Sequence, residues 1–157
     1  KVMLNPNTAH PQLSLSEDLR SMRWEHTWQH LPDVPERFDT EYCVLGQEEF
    51  REGRHCWEVE VMGKDLWCAV GVARASVKRK GKVYFSPKEG IWALAYFKGE
   101  LNGLTSPPTP VSLSPVPTRI WVCVDCTQGQ VTFISAHNGA EIFTFPTAAF
   151  NGESVHP

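Results

Sequence analysis

Apolar and polar residues alternate strictly in CWEVEV (56–61), with Trp57, Val59 and Val61 on one side and Glu58 and Glu60 on the other. A period of two predicts a β-strand with one face buried and one in water. Five further runs are short and rich in β-branched or aromatic residues: WCAVGVA (67–73), IWALAYF (91–97), RIWVCV (119–124), QVTFI (130–134) and EIFTF (141–145). Turn residues bound each of them. Asn138-Gly139 predicts a tight hairpin with positive φ angles, and DCTQG (125–129) predicts another. No segment keeps a helical apolar period over about ten residues, and SEDLRSM (16–22) offers one short helical turn at most. Many short strands separated by regular turns predict an all-β fold, a two-sheet antiparallel β-sandwich.

A chain of 157 residues fits one domain, and 41% hydrophobic against 21% charged residues is an ordinary globular balance. A formal charge of −3 gives no global attraction to nucleic acid or to anionic membrane. The longest apolar runs fall far short of a membrane span of about 18 residues. Lys1 opens without a charged-then-apolar leader, as expected of an excised domain. Five cysteines, an odd count, and the lack of any N-x-S/T acceptor predict a reducing, cytoplasmic setting. The stretch SPPTPVSLSPVP (106–117) holds five of the twelve prolines. It contains a PxxP spacing, but a rigid connection crossing between sheets accounts for it better.

Two motifs invite a catalytic reading, and neither sustains it. His26 and His30 in HTWQH have the spacing of a helical zinc pair, yet Thr27 stands where a general base is required, and Pro32 and Pro35 follow closely. On an extended chain the two rings would lie about 13 Å apart, too far to share one metal. Cys123 and Cys126 form a CxxC, but Cys123 lies inside an apolar strand rather than at the start of a helix. Core packing is the expected role of these thiols. GxSxG, P-loop and GxGxxG patterns are absent. No enzyme, cofactor or metal is therefore expected.

Three loops have the content of binding surfaces. RWEHTWQH (23–30) carries two tryptophans in a polar stretch, VKRKGK (77–82) is strongly basic, and YFKGELNG (96–103) ends a strand with Tyr96, Phe97, Glu100 and Asn102. Aromatic residues beside arginine and adaptable polar groups are the material of interface hot spots.

Long motifs in order carry a family resemblance. VMLNPNTAHPQLSLSEDLRSMRW (2–24), PERFD (35–39) and CVLGQEEFREGRHCWEVEV (43–61) are followed by WCAVGVARASVKRKG (67–81), SPKEGIWAL (86–94) and VDCTQGQVTFISAHNGAEIFTF (124–145). Together they resemble the PRY-SPRY (B30.2) domain of tripartite-motif ubiquitin ligases and butyrophilins, with residues 1–50 as the PRY segment and 51–157 as the SPRY segment. The resemblance implies a bent, two-sheet antiparallel sandwich of concanavalin-like type without catalytic activity, binding a protein target through variable loops. By position those loops bring Trp24, His26, Trp28 and His30 together with Arg79, Lys80, Lys82 and Tyr84. Ala95, Phe97, Glu100 and Asn102 would form a further wall. A butyrophilin-type alternative is a basic pocket for a small anionic ligand, to which His26, His30, Arg79 and Lys80 would contribute.

The sequence departs from the pattern at Cys56, where an aromatic is usual, and at VDC (124–126), where LDY is usual. It also stops at ESVHP (153–157), before the family's last strand. An edge left open there would be covered by a partner chain or would support self-association.

Overall fold

The computed structural model describes residues 1–63 and 66–157. Among the described residues, eleven strands form three sheets. A small antiparallel pair joins β1 (Leu13–Leu15) to β2 (Met22–Trp24). A four-stranded sheet runs in the order β10-β9-β8-β3, from β3 (Arg54–Glu60), β8 (Arg119–Asp125), β9 (Gln130–Ser135) and β10 (Glu141–Phe145). A five-stranded sheet runs β11-β4-β5-β6-β7. Its members are β4 (Cys68–Arg74), β5 (Ile91–Phe97), β6 (Glu100–Gly103), β7 (Thr109–Val111) and β11 (Val155–His156). All strand pairings are antiparallel.

The principal core lies between the two large sheets. Val72, Trp92, Leu94, Tyr96 and Leu101 pack from one side against Ile120, Val122, Val124, Val131, Phe133 and Phe145 from the other. A second apolar layer covers the opposite face of the five-stranded sheet. There Ala73, Ile91, Ala93, Ala95 and Leu104 meet Phe38 and Leu45 from the N-terminal segment, with Val77 and Val83 from the loop after β4. This explains why β5 is apolar almost throughout while β3 alternates: β5 is covered on both faces, β3 on one. Gly103 faces Phe143, and a Cβ there would lie 2.5 Å from the ring, so the close approach of the sheets requires glycine.

Several local expectations are corrected. SEDLRSM forms a tight turn between β1 and β2 rather than a helical turn: Ser16 N–H donates to Ser21 O (2.9 Å), and the Ser16 hydroxyl accepts from the N–H groups of Arg20 and Ser21. The 135–140 hairpin is longer than a two-residue turn. Gly139 alone supplies the positive φ (73°) and donates to Ser135 O, while Asn138 uses its side chain to accept from Ala140 N–H. Cys123 is not a core thiol. Val122 and Val124 take the inward positions of β8, so Cys123 faces outward opposite Cys56, with Cα atoms 4.1 Å apart, and the two form a disulfide. Trp121 and Cys123 are as apolar as their neighbours, so composition alone could not decide which parity faces the core. Of the CxxC pair, it is Cys126 that packs against the core. The proline-rich stretch contributes β7 and then crosses to β8 in the other sheet.

Candidate functional site

The loop after β2 carries exposed aromatic surface, and its backbone is held along the segment that leads into β1. Glu25 N–H donates to Gln12 O (2.8 Å) and Gln29 N–H to Pro11 O (3.0 Å). The Gln12 amide donates to the carbonyls of Glu25 and His26, and the Gln29 amide to Leu13 O (2.8 Å). These bonds fix a stretch that has no regular structure of its own. It is not a helix, so His26 and His30 do not share a helical face.

On this frame Trp24 and His26 meet edge to face with ring centroids 4.5 Å apart, and Trp24 also meets Tyr42 at 5.9 Å. Beneath them His10, 1% exposed, contacts Trp28 at 5.0 Å and Tyr42 at 4.8 Å. Gln12 N–H donates to His10 Nδ1 (2.9 Å), which makes that nitrogen an acceptor and the ring neutral. Burial holds the His10 pKa below its ordinary value. Trp28 and Tyr42 remain 57% and 54% exposed, an unusual cost unless the rings are used. His30, further along the loop, is exposed.

The basic loop behaves differently from its sequence. Arg79 is half-buried, lies over the Phe38 ring and donates to the carbonyls of Val77, Glu36 (2.7 Å) and Ala75. Burial lowers its pKa. Lys80 donates to Asp33 Oδ1 (2.7 Å) and Val34 O (2.8 Å). Both cations thus fasten the far end of the aromatic loop, whose frame is completed by buried Arg37 donating to Pro32, Pro6 and Ala9 carbonyls. Lys82 is exposed, with its ammonium over the Tyr84 ring at 5.3 Å.

The strand-end residues occupy one side of the five-stranded sheet. Ala95 pairs with Asn102 and Phe97 with Glu100, so all four share the face that carries the second apolar layer. Ala95 is 3% exposed and packs inside that layer, whereas Phe97 and Glu100 are open to solvent. Residues 39–43 link the groups. Asp39 accepts from Gly81 N–H, a bond that lowers its pKa, and Glu41 accepts from Val83 N–H. Tyr42 joins the aromatic cluster, and Cys43 packs against the layer containing Ala95. Sequence reasoning passed over Tyr42, His10, and the Trp67–Phe85 pair (5.7 Å). Tyr42 stands alone in a polar stretch, and only its spatial neighbours reveal it.

Burial raises the pKa of each free thiol: Cys43 is pushed up to about 12, and Cys68 and Cys126 are raised. Such thiols are poor nucleophiles at neutral pH. Among the described residues no group of three or more His, Cys, Asp or Glu is placed to hold a metal, and no helix is long and apolar enough to cross a membrane.

Comparison with known proteins agrees with this architecture. The SPRY-associated domain model (PRY) matches residues 2–50, and the SPRY domain model matches residues 54–157. The chain is 45% identical over 149 residues to butyrophilin subfamily 2 member A2 of Homo sapiens, covering 95% of this chain and 28% of that protein. It is 44% identical over 145 residues to the E3 ubiquitin-protein ligase TRIM58 of Mus musculus, covering 92% of this chain and 30% of that protein. The chain therefore spans less than a third of these relatives. The crystal structure of the TRIM65 PSpry domain superimposes with a TM-score of 0.80 at 18% identity, covering 99% of this chain and 81% of that one. The chain belongs to the PRY-SPRY family, as one PRY segment and one SPRY domain folded around a shared sheet.

Proposed function

We propose that the chain is a non-enzymatic recognition module that binds a protein target through the aromatic loop, the role it would have as the substrate-choosing end of a tripartite-motif ubiquitin ligase. The observation that carries this reading is the Trp24–His26–Trp28–Tyr42 cluster, exposed yet held on a fixed backbone. Rigid aromatic rings present large contact area with little entropy left to lose, which is how hot spots work. Lys82, Tyr84, Phe97, Glu100 and Asn102 supply the polar and mixed rim. The similarity to a named ligase supports the parent assignment. The small-anion alternative draws on Arg79 and Lys80, whose donors already serve the fold.

The test is affinity for a partner selected against this domain from a displayed protein library. Trp24→Ala combined with Trp28→Ala is expected to weaken binding by about thirtyfold or more, the loss typical of one strong hot spot. Trp121→Ala, on the far sheet, is the control and should leave affinity unchanged. A loss within about twofold for the double variant refutes the assignment.

A further inference from the structure

The aromatic cluster has a sign as well as a shape. Between Trp24 and Tyr42 the chain carries five carboxylates, Glu25, Asp33, Glu36, Asp39 and Glu41, against one cation, Arg37. Arg37 is buried, and its donors go to the carbonyls of Pro32, Pro6 and Ala9, so it is not presented to a ligand. Two of the carboxylates are neutralised nearby: Arg23 pairs with Glu25 (2.7 Å) and Lys80 with Asp33 (2.7 Å).

Asp39 and Glu41 are held differently. They accept backbone N–H groups, from Gly81 (2.8 Å) and Val83 (3.1 Å), and among the described residues neither has an ion pair. Bonds of that kind favour the ionised carboxylate. Tyr42 follows Glu41 directly, and both carboxylates act through space on His10, the ring that meets Trp28 and Tyr42. Burial keeps His10 neutral against their pull, so their charge stays unbalanced.

The rings above reinforce this field. An aromatic face is the negative lobe of the ring quadrupole and attracts cations. Elsewhere the molecule satisfies that attraction itself: Arg79 lies over Phe38 (5.5 Å), Lys82 over Tyr84 (5.3 Å) and Lys98 over Phe97 (5.1 Å). Among the described residues no cation of the chain lies over Trp24, Trp28 or Tyr42, although all three are exposed.

We propose that the contact residue of the partner is a cation: an arginine or lysine side chain of the target protein docks on Trp24, Trp28 and Tyr42, with Asp39 and Glu41 as its counter-charges. This rests on the aromatic loop being the recognition surface, and it names the chemistry that surface reads. The same carboxylates repel an anionic ligand.

The probe is a set of glycine–serine peptides with a central Leu-X-Leu, X being arginine, lysine, citrulline or glutamate. Citrulline keeps the shape of arginine and removes its charge. Binding is followed by the indole N–H signals of Trp24 and Trp28 in isotope-labelled protein, identified from Trp24→Phe and Trp28→Phe. The arginine and lysine peptides should move both signals, with Kd on the order of 1 mM. Citrulline should bind about tenfold more weakly, and glutamate should leave the signals in place. Asp39→Asn with Glu41→Gln keeps both hydrogen-bond acceptors and removes both charges. It should weaken the arginine peptide about fivefold and leave the citrulline peptide unchanged.

Equal binding of the arginine and citrulline peptides, a preference for glutamate, or unmoved indole signals with every peptide overturns the proposal. So does an equal loss for arginine and citrulline in the Asp39→Asn, Glu41→Gln protein. If any of these occurs while the selected partner still loses affinity on Trp24→Ala with Trp28→Ala, the loop recognises its target by other chemistry. If the partner keeps its affinity, the loop is not the recognition surface.

Discussion

The two outer faces of the sandwich began from the same alternating logic and ended differently. The outer face of the five-stranded sheet is roofed by the N-terminal segment, so both parities of β5 are buried. Among the described residues, none covers the outer face of the four-stranded sheet in this way. There Glu58 binds Arg119 and Trp121 in the open, and Trp121 stays 40% exposed. The roofed face can hold loops in fixed positions because its covering segment is itself packed, and the aromatic cluster hangs from that roof. Among the described residues the bare face offers sheet surface alone.

The sharpest way to break this comparison is to place a charge at matched positions. Ala93→Glu, in the roofed layer, should cost about 4 kcal/mol or more, since an unpaired carboxylate would be buried. Thr132→Glu, on the bare face, should change stability by no more than about 0.5 kcal/mol. Urea unfolding of both variants measures the difference, and similar losses would mean the roof adds little.

Next in size is Arg37→Ala. It would strip donors from three carbonyls of the roof, at Pro6, Ala9 and Pro32, and is expected to cost about 2–4 kcal/mol. The loss should appear first as faster exchange of amides at 8–13 and 25–29, with β8 and β9 protected until global unfolding. Simultaneous loss everywhere would show that roof and sandwich unfold as one unit.

The smallest effect is a pH dependence confined to the roofed side. His10 is buried neutral, with its folded pKa below the ordinary value of about 6.5. As pH falls below about 6.5 the unfolded chain takes up a proton that the folded ring resists, so stability should decline until the folded pKa is passed. Protonation also removes the acceptor used by Gln12 N–H. Thermal midpoints measured downward from neutral pH should fall more steeply for the native chain than for His10→Phe. Parallel curves would assign the decline to other groups.

How much of this was legible beforehand follows from what each signal reports. The six long strands were readable, because alternation or an apolar run over five to seven residues reflects burial directly. β1, β2, β6, β7 and β11 span only two to four residues and owe their pairing to neighbours. The aromatic loop was found because tryptophan in polar company is costly. The fate of Arg79 was not readable, since nothing in VKRKGK says that three carbonyls of distant or neighbouring residues converge on one guanidinium. Ala95 likewise reads as a wall of the site, yet its side chain lies within the second layer.

The anchoring of the aromatic loop has a practical consequence. Its backbone is held from Pro11, Gln12 and Leu13 at one end and from Arg37, Arg79 and Lys80 at the other. The side chains of His26, Thr27, Trp28, His30 and Leu31 are exposed between those attachments. Frame and message are therefore written in different residues. A combinatorial library randomised at those five positions, with the anchoring glutamines and cations kept, would change what is recognised while leaving the scaffold that presents it intact.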